Sequence, residues 1–373
     1  MIKILVVEPA GQLWGSEQTL LTNLATLEAA DVKVSVCLPP GTPLAGRLSA
    51  LGISVHPSFV ANLHRKGRWA RLRALSGLFQ AARRSKPDVL HVNQAGATRL
   101  ALLVGRLLNI PVTSHVQLAE DVEYLEGLGP LLNGLSAVIC ISDDIRSRFR
   151  EDGPVPSERL VTIYNPVPLP DHADKTSIHT GPFVACVGRL VQTKGADVLL
   201  DALAEMCSVT ALRAVFVGST SDESGFDVEL CSQAKRLDIA DRVEWVGFDP
   251  VPARHLAGAV ASVCPSWHEA FGLVVVEAWA ANTIPIVWRG AGGAAEIVEK
   301  SGGGLMFDEM TGSSLAGVLC QASGMGLDER ARLVAAGLAW AKAECNPWTQ
   351  AGRMADVWAQ AARCSRAVSV AVS

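Results

Sequence analysis

No apolar run in this 373-residue chain approaches the ~20 residues that a helix needs to cross a bilayer. The opening stretch, residues 1–9, is broken by Glu8 too early to be a secretory signal, and it reads as a first buried strand. The nine cysteines include no Cys-x-x-Cys pair and no Cys/His cluster at zinc spacing. That excludes a disulfide framework and a structural zinc site, and it fits free thiols in a reducing compartment. No repeat of fixed 20–50-residue period is present, which excludes a solenoid. There is no Asp-x-Asp triplet either, and none of the eight histidines completes a ligand set with the cysteines, so no metal is expected. Together these absences predict a cytoplasmic protein.

What is present is an ordinary globular composition, 49% hydrophobic and 19% charged. The length is large for one hydrophobic core and suits two domains. Net charge is −4 but unevenly spread. Residues 1–166 carry 17 Lys/Arg against 14 Asp/Glu, whereas the remainder carries 16 against 23. Between Val32 and Pro87 there is no acidic residue, while residues 65–86 are basic: Arg65, Lys66, Arg68, Arg71, Arg73, Arg83, Arg84 and Lys86. They surround Trp69, Leu72, Leu75, Leu78 and Phe79. Such a segment suits either a solvated helix face or peripheral contact with an anionic membrane, here its cytoplasmic side.

Short Val/Ile-rich runs alternate with longer helical stretches, the pattern of parallel sheets covered by helices on both faces. Seven strand candidates precede Pro166, at 3–9, 32–39, 53–58, 88–94, 111–117, 137–142 and 160–166. A proline-rich polar segment, 167–182, reads as a linker. The pattern then restarts with six candidates, at 183–190, 212–219, 243–248, 261–266, 285–290 and 304–308. The expected organisation is therefore α/β, with two Rossmann-like doubly wound domains, residues 1–166 and 183–347. In such tandems the carboxyl ends of both sheets face each other across a cleft, where ligands bind. A last helix, about 348–364, is expected to pack back on the first domain, and the final seven residues read as a loose tail.

Two stretches carry chemistry. In "VGRLVQTKGADVLLDAL" (187–203) a strand ends, a helix follows, and Arg189 and Lys194 lie in the loop between. Two fixed cations there suit a phosphate, although a solvated loop carries such residues too. In "CPSWHEAFGLVVVEAW" (264–279) the chain again leaves a strand, with Glu269 before Gly272 and Glu277 eight residues after the first glutamate. The Val run is ambiguous between strand and helix. As a helix, it leaves the N–H groups of Ala270, Phe271, Gly272 and Leu273 available to an anion. Carboxylates beside a phosphate then make sense as acceptors for sugar hydroxyls, so a nucleotide sugar satisfies both stretches.

These segments resemble glycosyltransferase family 4, retaining enzymes of the GT-B architecture. The likeness rests on G-R-L-x-x-x-K-G (188–195), the Glu269/Glu277 pair and "GAGGAAEIV" (290–298). In the first half it rests on "GSEQTLLTNLA" (15–25), "IPVTSHVQ" with His115, "VICISDDI" with Ser142 and "VTIYNPV" with Asn165. It spans nearly the whole chain in the right order. The resemblance implies that Arg189 and Lys194 hold the donor diphosphate and that Glu277 binds the ribose. It further implies that Glu269, with the backbone of residues 270–272, holds the donor sugar. Gly15 lets its loop approach the phosphates, His115 lies over the donor sugar, and Glu296 orients the same region or forms a salt bridge. The reaction implied is transfer of a sugar from a nucleoside diphosphate to an acceptor hydroxyl with retained configuration, without metal or other cofactor. Partners are then the nucleotide sugar and a sugar, glycolipid or small-molecule acceptor, with no nucleic acid.

Three residues depart from the family pattern. Trp14 replaces the first glycine of a Gly-Gly pair, Asn165-Pro166 replaces Asn-Gly, and Asn282 stands where a glycine ends the helix after the second glutamate. The same fold also serves nucleotide-sugar epimerases, sugar-phosphate synthases and inactive nucleotide-sugar-binding subunits.

Overall fold

The computed structural model describes residues 1–27, 32–60, 67–169, 176–206, 211–220, 225–249 and 251–372, without the side chains beyond 364. Residues 170–175 of the expected linker, and Arg65 and Lys66 of the basic segment, lie outside the described residues. The chain divides into two compact units, Met1–Pro168 with Glu344–Ser373, and Leu169–Ala343.

The first unit holds a parallel sheet of β1 (Ile2–Val7), β2 (Val32–Leu38), β3 (Ser54–Pro57), β4 (Val89–Val92), β5 (Val112–Val116), β6 (Leu135–Cys140) and β7 (Leu160–Thr162). Its order is β3-β2-β1-β4-β5-β6-β7, and every pairing is parallel. Parallel neighbours need crossovers, and α1 (Gly15–Thr26), α2 (Pro43–Ala50), α3 (Arg68–Ser85), α4 (Thr98–Leu108), α5 (Ala119–Glu126) and α6 (Asp143–Ser147) supply them. Strands covered on both faces have no solvated side, which is why β4 and β5 are buried at every position. Ser142 caps α6, its hydroxyl accepting the Ile145 N–H at 3.2 Å.

The second unit holds β8 (Phe183–Val187), β9 (Arg213–Val217), β10 (Val243–Gly247), β11 (Ala261–Cys264), β12 (Pro285–Trp288) and β13 (Leu305–Phe307). They form a parallel sheet of order β10-β9-β8-β11-β12-β13. Its helices are α7 (Ala196–Glu205), α8 (Phe226–Arg236), α9 (Leu273–Ala280), α10 (Gly293–Ser301), α11 (Gly312–Gly324) and α12 (Leu327–Glu344). The Val run after Gly272 is thus helical. A strand there would leave β11 and β12, which pair in parallel, without a crossover. Asn282 takes a left-handed φ of 61° and closes that helix in place of glycine.

The last helix, α13 (Pro347–Val372), returns to the first unit. Ala351, Met354, Val357 and Trp358 enter the core beside Ile4, Val6 and Leu20. It continues through the stretch that reads as a loose tail, because adding a turn to an existing helix avoids the cost of nucleation.

In both sheets the strand order reverses once, between β1 and β4 and between β8 and β11. At such a switch point the flanking helices lie on opposite faces and leave a crevice beyond the carboxyl ends of the strands. Residues 8–14 and 93–97 border the first crevice, and residues 188–195 and 265–272 border the second.

Candidate active site

Three loops meet at the carboxyl edge of the second sheet, and backbone contacts lock them together. The loop after β11 donates the Trp267 N–H to the Thr193 carbonyl of the loop after β8, at 3.0 Å. Gly195 makes this approach feasible. It takes φ +66°, and a Cβ there would stand 1.9 Å from the Pro265 carbonyl oxygen. The loop after β12 joins from the other side. Glu269 N–H donates to Ala291 O at 2.9 Å, and Gly293 N–H donates to Glu269 O at 2.7 Å.

On this frame Lys194 and Glu269, 75 residues apart, form an ion pair. The same carboxylate oxygen, Oε1, also accepts the Ser266 hydroxyl at 2.8 Å and the Cys264 thiol at 3.8 Å. Burial pushes that thiol up to about 12, so it keeps its proton. Glu269 is therefore aimed through one oxygen by three side chains. Lys194 spends one of its three N–H donors on the pair and keeps two. Arg189, just past β8, is exposed and has no ion-pair partner among the described residues.

Glu277 differs from Glu269. It sits one turn into α9, half-buried, with no hydrogen-bond or ion-pair partner among the described residues. Burial raises its pKa above the usual carboxylate value. A carboxylate left in that state has unused acceptor capacity, which is the property of a group that waits for a ligand. Of the remaining residues in this stretch, Phe271 is buried, and Gly272 caps α9 with φ +93°. Leu273 is the first helical residue. Glu296 pairs with Lys300 at 2.9 Å, so the salt bridge holds. Among the described residues no three His, Cys, Asp or Glu side chains come together to hold a metal ion.

The other expected residues belong to the first unit. Gly15 is the first residue of α1, directly after Trp14, whose indole is 70% exposed. His115 lies inside β5, only 2% exposed. Its ring centroid stands 6.0 Å from that of His91, and neither ring nitrogen has a hydrogen-bond partner among the described residues. Burial lowers its pKa to about 4, so at neutral pH it is an uncharged imidazole. Asn165 is buried, and its Oδ1 has no hydrogen-bond partner among the described residues.

Sequence reasoning missed Ser266 and Cys264. The Ser-x-x-Glu spacing of 266 and 269 was the available signal, since a short hydroxyl three residues before a carboxylate can reach it across a turn.

A pair of Rossmann-like units with this site defines a class, and comparison with known proteins places the chain in it. Residues 170–337 match the family described as glycosyl transferases group 1, and residues 15–166 match the glycosyl transferase 4-like domain. The chain belongs to this glycosyltransferase family. Among its relatives is D-inositol 3-phosphate glycosyltransferase 1 of Catenulispora acidiphila, 28% identical over 299 residues, covering 69% of this chain and 70% of that protein. A second is the GDP-mannose-dependent alpha-(1-6)-phosphatidylinositol monomannoside mannosyltransferase of Mycobacterium tuberculosis, 30% identical over 246 residues, 60% of this chain and 62% of that one. The match to the D-inositol 3-phosphate glycosyltransferase of Segniliparus rotundus is 38% identical but spans only 34% of this chain and 28% of that protein. Among solved structures, Anabaena HepE in complex with UDP and glucose superposes with a TM-score of 0.79 at 22% identity, covering 96% of this chain and all of that one. That likeness carries the GT-B fold.

Proposed function

We propose that the protein transfers a sugar from a nucleoside-diphosphate donor to an acceptor hydroxyl, with retention and without a metal ion. The observation that carries this reading is the contrast between Glu269, held through one oxygen by Lys194 and Ser266, and Glu277, whose carboxylate has no partner among the described residues. Glu269 turns its free oxygen to a donor-sugar hydroxyl, and Glu277 accepts the ribose hydroxyls. Arg189 and the two spare donors of Lys194 hold the diphosphate. In the reaction the acceptor oxygen bonds to the anomeric carbon as the bond from that carbon to the phosphate oxygen breaks. The acceptor proton passes to the departing phosphate. Arg189 and Lys194 stabilise the charge that builds on that phosphate, which is where preorganised cations lower a barrier most.

The names of the relatives support sugar, cyclitol or lipid-linked acceptors in glycan and glycolipid assembly. The test is a panel of nucleotide sugars, with and without acceptors, in excess EDTA, monitored for released nucleoside diphosphate. Release that needs the acceptor and survives EDTA is expected. Turnover without an acceptor would favour an epimerase, and no turnover with any pair would favour a binding subunit. Loss in EDTA with full rescue by one metal would overturn the metal-free account.

We also infer peripheral contact of the first unit with an anionic membrane surface. On α3, Trp69 is 84% exposed and Leu72 55%, and Arg68, Arg71 and Arg73 flank them. Arg73 stacks over the exposed Phe59 ring at 4.1 Å. Among the described residues this face carries no acidic group, a combination that suits anionic headgroups over an apolar boundary. Vesicles containing anionic lipid should float the protein at low salt and release it at high salt, and Trp69→Ser should weaken flotation. Absence of flotation at low salt would remove the idea.

A further inference from the structure

Two carboxyl groups of the chain itself lie beside the switch point of the first sheet. Glu8, just after β1, and Glu17, in the first turn of α1, are both fully buried. Each anchors one end of the loop between them. Glu8 Oε1 accepts the Ala10 N–H at 2.7 Å, and Glu17 Oε2 accepts the Trp14 N–H at 3.2 Å. Gln94, just after β4, ties the two anchors together. Its Nε2 donates to Glu8 Oε1 at 3.1 Å and to Glu17 Oε1 at 3.0 Å, with the Ser16 hydroxyl at 3.3 Å. Asn93 Nδ2 completes the cluster on Glu8 Oε2 at 2.7 Å.

We propose that Glu8 and Glu17, bridged by Gln94, are positioning residues that fix the residue 9–14 loop and so present Trp14 and Gly15. This rests on the glycosyl-transfer reading for its effect on catalysis, though not for its effect on the loop. Gln94 Nε2 lies within 3.1 Å of an oxygen on each carboxyl, so two buried carboxyls share one amide. A proton on Glu8 relieves the repulsion between them. Asn93 then meets Oε2–H with its carbonyl after a half-turn of its amide. Burial is the main reason that Glu8 is raised to about 7, and Glu17, the charged group it faces, pushes the same way. On β2, the backbone carbonyl of Cys37 accepts its N–H at 2.9 Å; burial pushes the Cys37 thiol up to about 12, so it brings no charge. A carboxyl whose pKa is raised on folding favours the ordered state below its unfolded value of 4.5 and loses that contribution as pH rises through about 7. The loop is therefore latched while Glu8 is neutral and loosened above that pH.

The test uses the full chain labelled with 5-fluorotryptophan, with the Trp14 resonance assigned through Trp14→Phe. In the wild type, that line should shift with a midpoint near pH 7, the value to which Glu8 is raised. In Glu8→Gln, which is neutral at every pH, it should remain flat. Gln94→Leu, which removes the bridge and leaves both carboxyls, should displace the line even at the acidic end. A flat wild-type line, a Glu8→Gln line that titrates as before, or an unmoved line in Gln94→Leu would each overturn the latch. Where turnover is measurable, kcat/KM should fall on the same alkaline limb, and Glu8→Gln should abolish the limb. Absent turnover with the fluorine titration intact would fault the transfer reading and leave the latch standing.

Discussion

Replacing Lys194 with alanine is expected to lower turnover by about 10²-fold or more, the scale of losing one donor to transition-state charge. The structure adds a second consequence. Lys194 is the cation that neutralises Glu269, so its removal leaves a half-buried carboxylate held only by Ser266 and Cys264. The folded state should then lose stability. Arg189 separates the two effects. It has no ion-pair partner among the described residues, so Arg189→Ala should cost turnover on a similar scale while leaving stability within about 0.5 kcal/mol of the wild type. Thermal melts alongside steady-state rates check both statements. Unchanged rates in both variants would remove the diphosphate from these cations.

Glu277→Ala should weaken the free nucleoside diphosphate by roughly 10-fold or more, because the ribose contact exists before and after the reaction. Glu269→Gln should leave nucleotide affinity nearly intact and lower kcat, because its free oxygen serves the sugar in transit. Their structural states already differ. The Glu277 carboxylate has no partner among the described residues and carries a pKa raised by burial, so a ligand that donates hydrogen bonds relieves a cost the apo protein bears. Glu269 bears no such cost, since Lys194 and Ser266 satisfy one oxygen and leave the other free. Calorimetry with the nucleoside diphosphate, paired with single-turnover rates, distinguishes the two residues. Equal loss of nucleotide affinity in both variants would show the roles to be misassigned.

The fold was open to reading because strands buried on both faces have to be continuous apolar runs, and each of the thirteen candidate runs holds one strand. The Val run of α9 was not decidable locally. β-branched residues favour strands in isolation, and only the requirement for a crossover between β11 and β12 makes it a helix. The cations and glutamates of the site could be picked out as residue types in loops that follow strands. The pairing of Lys194 with Glu269 could not, because it depends on β8 and β11 being neighbours. The same limit hid the cluster of Glu8 and Gln94, which β1 and β4 bring together from 86 positions apart. Glu8 did leave a trace, since a charge directly after the buried apolar run Ile4–Val7 needs a partner somewhere.

The most direct measurement follows the anomeric proton by NMR while the protein, a nucleotide sugar and an acceptor react in excess EDTA. The account predicts that the product glycoside appears with the anomeric configuration of the donor, in step with one equivalent of nucleoside diphosphate. An inverted product, or donor consumption without a glycoside, would contradict it.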